Sequence, residues 1–177
     1  MKNKVPIGEI VDIARAAAKE LRTQRQAQYL AKYQKLKKHE GIIDFGDIDK
    51  AMDALEGKGK FGDIAVRGEQ PGKVLAEIKN LVDQFKRGAP DQYHTPVAID
   101  ALKQAIYDVG KDLPYGSTSR RVADEAYAAV RNEIVKQFDE YGTMMKDYEN
   151  MSSLIDEVEK TMSIPAAKPG LQDTAIR

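Results

Sequence analysis

An all-α chain is predicted, and three observations predict it. Apolar residues recur at steps of three and four over long stretches, most clearly from Thr95 to Met162. Glycine and proline gather at a few points between those stretches and rarely interrupt them. Charged residues make up 32% of the 177 positions and fill the faces between the stripes. The expected architecture is an elongated helical bundle or antiparallel helical hairpin ending in a long C-terminal helix.

The first helix starts near Pro6, a residue tolerated in a first helical turn. Ile7, Ile10, Val11, Ala14, Ala18 and Leu21 follow as one apolar stripe. The stripe thins through Arg22–Gln28, resumes weakly with Tyr29, Tyr33 and Leu36, and stops at Gly41. Its second half has little to bury, so it projects into solvent or meets a partner. Ile48, Met52 and Leu55 predict a short helix ended by Gly57 and Gly59, with Ile42, Ile43 and Phe45 packing before it. Phe61 to Gly68 reads as a loop with a short extended piece at Asp63–Arg67, a joint between the first helix and the rest.

After Pro71 the pattern sharpens. Val74, Leu75, Ile78, Leu81, Val82 and Phe85 form a narrow stripe that ends at Gly88-Ala89-Pro90. Thr95-Pro96 supplies a capping residue and then a first-turn proline for the next helix, with Ile99, Leu102, Ile106, Val109 and Leu113 on one face. Leu113-Pro114-Tyr115-Gly116 makes a turn short enough to set antiparallel neighbours. Ser117 or Thr118 then caps a last long helix, whose seam of Ala123, Tyr127, Val130, Ile134, Phe138, Tyr141, Met145, Tyr148, Ser152, Ile155 and Met162 approximates heptad spacing. At about 1.5 Å per residue this helix would span roughly 65 Å. A break or kink is expected near Gly142, because glycine costs about 1 kcal/mol relative to alanine inside a helix.

Beyond Phe138 the seam outruns its antiparallel neighbour. Its mate is either the N-terminal helix or a second chain, and oligomerisation or docking on a larger assembly is the preferred expectation. Tyr141, Met145, Tyr148 and Ile155 are the residues assigned to that contact. The organisation expected is an amphipathic then basic helix over 1–40, a short helix and loop joint over 41–72, a helical hairpin or bundle over 73–163, and a disordered tail over 164–177. Asp173-Thr174 looks like a cap whose helix then stops, which suggests a segment of a longer product.

Lys+Arg and Asp+Glu both number 28, so no global field favours nucleic acid or an anionic membrane. The balance conceals two opposed segments. Lys19 to Lys38 holds seven basic residues against Glu20, and Asp139 to Glu159 holds seven acidic ones against Lys146. These segments can pair within the molecule or head-to-tail between copies. Lys32, Lys35, Lys37 and Lys38, with nearby tyrosines, could also meet phosphates, giving weak and salt-sensitive nucleic-acid contact.

With no cysteine, disulfides, thiolate metal sites and Cys nucleophiles are excluded. No signal-peptide core and no bilayer-spanning apolar run occurs, so a cytoplasmic location, or assembly from the cytoplasm, is expected without a membrane span. His39 and His94 lack zinc-binding spacing. Asp44, Asp47, Asp49 and Asp53 lack the glycine and terminal glutamate of a calcium loop, and suit a helix start instead. Gly57 to Gly62 lacks the Gly-Lys-Ser/Thr of a phosphate loop, and Ser117 to Arg121 is explained by capping. No catalytic, cofactor or metal residue is assigned, and an enzyme is not expected.

Several segments resemble large helical proteins encoded by tailed bacteriophages and prophages. They are Tyr93 to Gln104, Leu113 to Gly116, Val122-Ala123-Asp124 through Gln137, Tyr141 through Tyr148, Val5 to Gly8, and Ile43 to Lys50. No catalytic motif travels with the resemblance. It implies a virion-associated role as an internal, ejected or structural protein, with copies of itself or other virion proteins as partners. A non-catalytic helical region of a larger virion enzyme is a further reading.

Overall fold

Each stretch of three–four spacing forms a helix in the computed structural model, which describes residues 6–161. The order is α1 (Ile7–Lys37), α2 (Gly46–Lys58), β1 (Lys60–Phe61), β2 (Ile64–Ala65), α3 (Glu69–Arg87), α4 (Pro90–Tyr93), α5 (Pro96–Gly110), α6 (Thr118–Gln137) and α7 (Asp139–Thr161). The chain is all-α, with one two-stranded antiparallel hairpin among the described residues. The tail expected over 164–177 lies outside those residues, as does Met162.

The caps follow local chemistry. Thr95 Oγ1 accepts from the Ala98 amide at 3.3 Å, and Ser117 Oγ from the Arg120 amide at 3.1 Å. α3 starts at Glu69, two residues ahead of Pro71, because amides in a first helical turn have no intrahelical partner to lose. Its N-cap is Gly68, at φ 87°, where a side chain would be strained.

The core lies where α2, α3, α5 and α6 converge. Ile48, Ile78, Ile99, Leu102, Ile106, Val130 and Ile134 are fully buried, each contributing about 1.5–3 kcal/mol on transfer from water. At one point α5 and α6 touch backbone to side chain: a β-carbon on Gly110 would stand 2.6 Å from Ala123 Cβ. His94 ties three segments together at the other end of α5. Its Nε2 lies 3.0 Å from the Phe85 carbonyl and 3.1 Å from that of Lys86, at the end of α3, while its own carbonyl accepts from the Ile43 amide at 2.7 Å.

The long final helix is two helices. The break expected near Gly142 falls four residues earlier, at Phe138 (φ −136°, ψ 96°). Gly142 lies inside α7 and serves contact instead, since a β-carbon there would come within 3.0 Å of Val135 Cγ1. The turn at Phe138 lets α7 leave the axis of α6 and pair with α1.

That pairing decides between the two mates considered for the lower seam. α1 runs antiparallel to α7, as shown by Arg22 pairing with Glu159 and Lys32 with Asp147. The opposed charge segments therefore meet inside one molecule. No helix among the described residues is long and apolar enough to cross a membrane.

Candidate interaction surface

Tyr141, Met145, Tyr148 and Ile155 do not form the partner-facing seam expected of them. All four are buried within the chain. The Tyr148 ring meets Tyr29 of α1 edge-on at 5.6 Å and lies under the Arg25 guanidinium at 4.7 Å. A second molecule could reach Tyr148 only by displacing α1. The heptad pattern identifies the buried face correctly, but such a pattern does not say which helix covers it.

Tyr141 belongs to a sealed polar cluster with Asp100 and Lys103. Its hydroxyl donates to Asp100 Oδ1 at 2.7 Å and accepts from Lys103 Nζ, which also stands 3.0 Å from Asp100 Oδ1. Asp100 accepts a further bond from Gln104 Nε2 at 2.7 Å. The Lys103 ammonium also faces the rings of Tyr127 and Tyr141, at 5.6 and 5.2 Å. Burial lowers the Lys103 pKa against the opposing pull of Asp100. Burial, then the Asp100 charge, raises that of Tyr141, and burial pushes Tyr127 up to about 12. Both oppositely charged groups are about 1% exposed, and they bond to each other and to Tyr141, with the second Asp100 oxygen held by Gln104. The arrangement supports register between α5 and α7; it does not face a cleft.

The four lysines assigned to nucleic-acid contact divide. Lys32 is taken by Asp147. Lys35, Lys37 and Lys38 sit exposed at the end of α1 and form no ion pair with any described residue. Arg22 is bound to Glu159, and Arg25 donates to Ser152 Oγ at 2.9 Å. Acidic side chains of α7 thus pair with Arg22 and Lys32 of the basic segment.

Bare apolar side chains occur along α1 (Ile7, Ile10, Ile13 and Leu30) and, grouped on paired strands, at the hairpin. β1 and β2 pair with Lys60 opposite Ala65 and Phe61 opposite Ile64, turning through Gly62-Asp63 with Gly62 at φ 60°. Opposed residues share a face and successive residues alternate. Phe61, Ile64 and Val66 consequently lie together on the outward face, at 79%, 67% and 57% exposure. Most hairpins turn such residues inward. The signal is present in sequence, as a two-residue turn containing glycine between short alternating runs, although the shortness of those runs favours a loop.

The remaining motifs resolve locally. Asp44 Oδ1 accepts from the Gly46 amide at 2.6 Å, while Asp47, Asp49 and Asp53 each meet a different lysine, Lys136, Lys86 and Lys79. Lys136 lowers the Asp47 pKa through its hydrogen bond and charge. Arg120 spends its guanidinium on the Lys111 and Leu113 carbonyls and on Asp124. No group of three metal-capable side chains comes together among the described residues. No known protein family, curated protein or solved structure matches the chain.

Proposed function

We propose that this chain is a non-catalytic structural module that assembles with copies of itself, using the outward face of the β1–β2 hairpin. The observation that carries the reading is the exposure of Phe61, Ile64 and Val66 side by side on one face. Contiguous bare apolar residues of this size mark contact surfaces, since leaving them in water forgoes about 25 cal/mol for each Å² that a partner could cover. The buried polar groups Asp100, Lys103 and Tyr141 satisfy one another in the interior, which favours a structural over a chemical role.

The resemblance of several segments to tailed-phage helical proteins suggests the setting, an internal, ejected or structural component of a virion. Other virion proteins are then further partners for the same face. Sedimentation velocity over a wide concentration range tests the reading. The native chain should form dimers or larger species, and Phe61→Ser/Ile64→Ser should shift them to monomer with helicity unchanged. Identical mass distributions for the two proteins overturn it.

A further inference from the structure

The inner face of the same hairpin covers a groove. Its walls are the end of α2, the first turns of α3 and residue 122 of α6, and its volume is about 260 Å³. The lining is mainly apolar, with Leu55, Ala65, Pro71, Leu75 and Val122 contributing. Lys60, Arg67 and Lys79 stand around it with a single carboxylate, Glu56. Glu56 is already shared, 2.5 Å from Lys79 and 3.6 Å from Lys60, and the Lys79 hydrogen bond and charge hold its pKa below the ordinary range. Arg67 is left with no carboxylate partner among the described residues.

We infer that this groove binds an extended acidic segment of a partner protein, seating one aliphatic side chain on Leu55 and Leu75 with a neighbouring carboxylate on Arg67. Charge complementarity selects the partner: Lys60 and Lys79 are engaged by Glu56, and Lys79 by Asp53 as well, which leaves Arg67 beside the apolar floor as the cation without an ion pair among the described residues. A guanidinium suits the role because its planar donors grip a carboxylate at two points. The hairpin adds a backbone contact. The Val66 amide donates to the Gly59 carbonyl at 3.0 Å, which makes that residue pair hydrogen-bonded. By the alternation of an antiparallel ladder, Ala65 then directs its amide and carbonyl off the free edge of β2. An extended chain can bond there while its alternate side chains enter the groove. Gly72 leaves the entrance open, since a β-carbon on it would meet nothing within 4 Å.

This inference rests on the reading of this end of the chain as a contact surface, yet it concerns the opposite face of the hairpin and can be tested apart. The probes are a short fluorescein-labelled peptide alternating leucine with aspartate, its asparagine counterpart, and free decanoate. Fluorescence anisotropy on the full chain should show binding of the aspartate peptide alone. Arg67→Glu should weaken it by about tenfold or more. Gly72→Leu should abolish it by filling the entrance, at no cost in helix propensity. Phe61→Ser/Ile64→Ser should bind the peptide as the native chain does, so failure of the outer face leaves this result standing. Equal binding of the asparagine peptide, indifference to Arg67→Glu, preference for decanoate, or no binding by any probe each overturns the inference.

Discussion

The Tyr141 hydroxyl donates to Asp100 Oδ1 at 2.7 Å across 41 residues of chain, and this bond fixes α7 against α5. Removing it by Tyr141→Phe leaves a buried ion pair short of a donor and an acceptor. The expected loss is about 2–3 kcal/mol of unfolding free energy by urea titration. Tyr127 offers the contrast: its buried hydroxyl bonds no described residue, so Tyr127→Phe should be neutral or stabilising by up to about 1 kcal/mol.

Removing one charge should cost more than removing both. Lys103→Met strands a buried carboxylate and should cost about 3–5 kcal/mol, whereas Asp100→Leu/Lys103→Met should recover most of that loss. Denaturation curves of both variants and the native chain provide the comparison. A double variant as unstable as the single would refute the pairing energetics.

Stability should fall at alkaline pH through the tyrosines. Burial raises Tyr29, Tyr33, Tyr127 and Tyr141 above the ordinary phenol value, so the folded chain keeps protons that the unfolded chain releases. Their contribution is intact below about pH 10 and is lost as pH climbs beyond it, by up to about 1.4 kcal/mol per pH unit for each proton retained. Lys103 acts in the opposite direction, because its lowered pKa makes the unfolded chain the stronger proton binder just below the ordinary lysine value. Ultraviolet titration should show a group of phenols ionising only with loss of helical dichroism.

The contact of Gly110 with Ala123 predicts a specific coupling. Gly110→Ala should cost about 1–3 kcal/mol by overpacking, and adding Ala123→Gly should return part of it despite glycine's own helix penalty. Additive losses in a double-mutant cycle would show that the helices can separate freely there.

Tyr148→Ser and Ile155→Ser should loosen α1 from α7, at about 2–4 kcal/mol for the larger truncation, and raise amide exchange along α1. DNA retention, if found, should depend on Lys35, Lys37 and Lys38, so its log–log salt slope should be no steeper than about −3.

Helix positions were legible in the sequence because spacing and punctuation report on neighbours close along the chain. Thr95-Pro96 and Ser117 mark their helices at the expected residues, and the α3 and α5 stripes are buried much as expected. Partner choice was not legible. Whether Tyr148 faces another molecule or Tyr29 depends on a turn at Phe138, where no proline or glycine stands. Gly142 misled because its value here is the space it yields to Val135 rather than the freedom of its backbone. The burial of Lys103 was not legible, because side-chain type alone does not reveal an acid three residues away as its interior mate.

The turn at Phe138 also orders events during synthesis. α2 through α6 pack on one another and can assemble once α6 has emerged, whereas α1 has its chief partner more than a hundred residues downstream. A nascent molecule therefore holds α1 uncovered until α7 has emerged, an interval in which a chaperone or a neighbouring copy could occupy the place that α7 later takes.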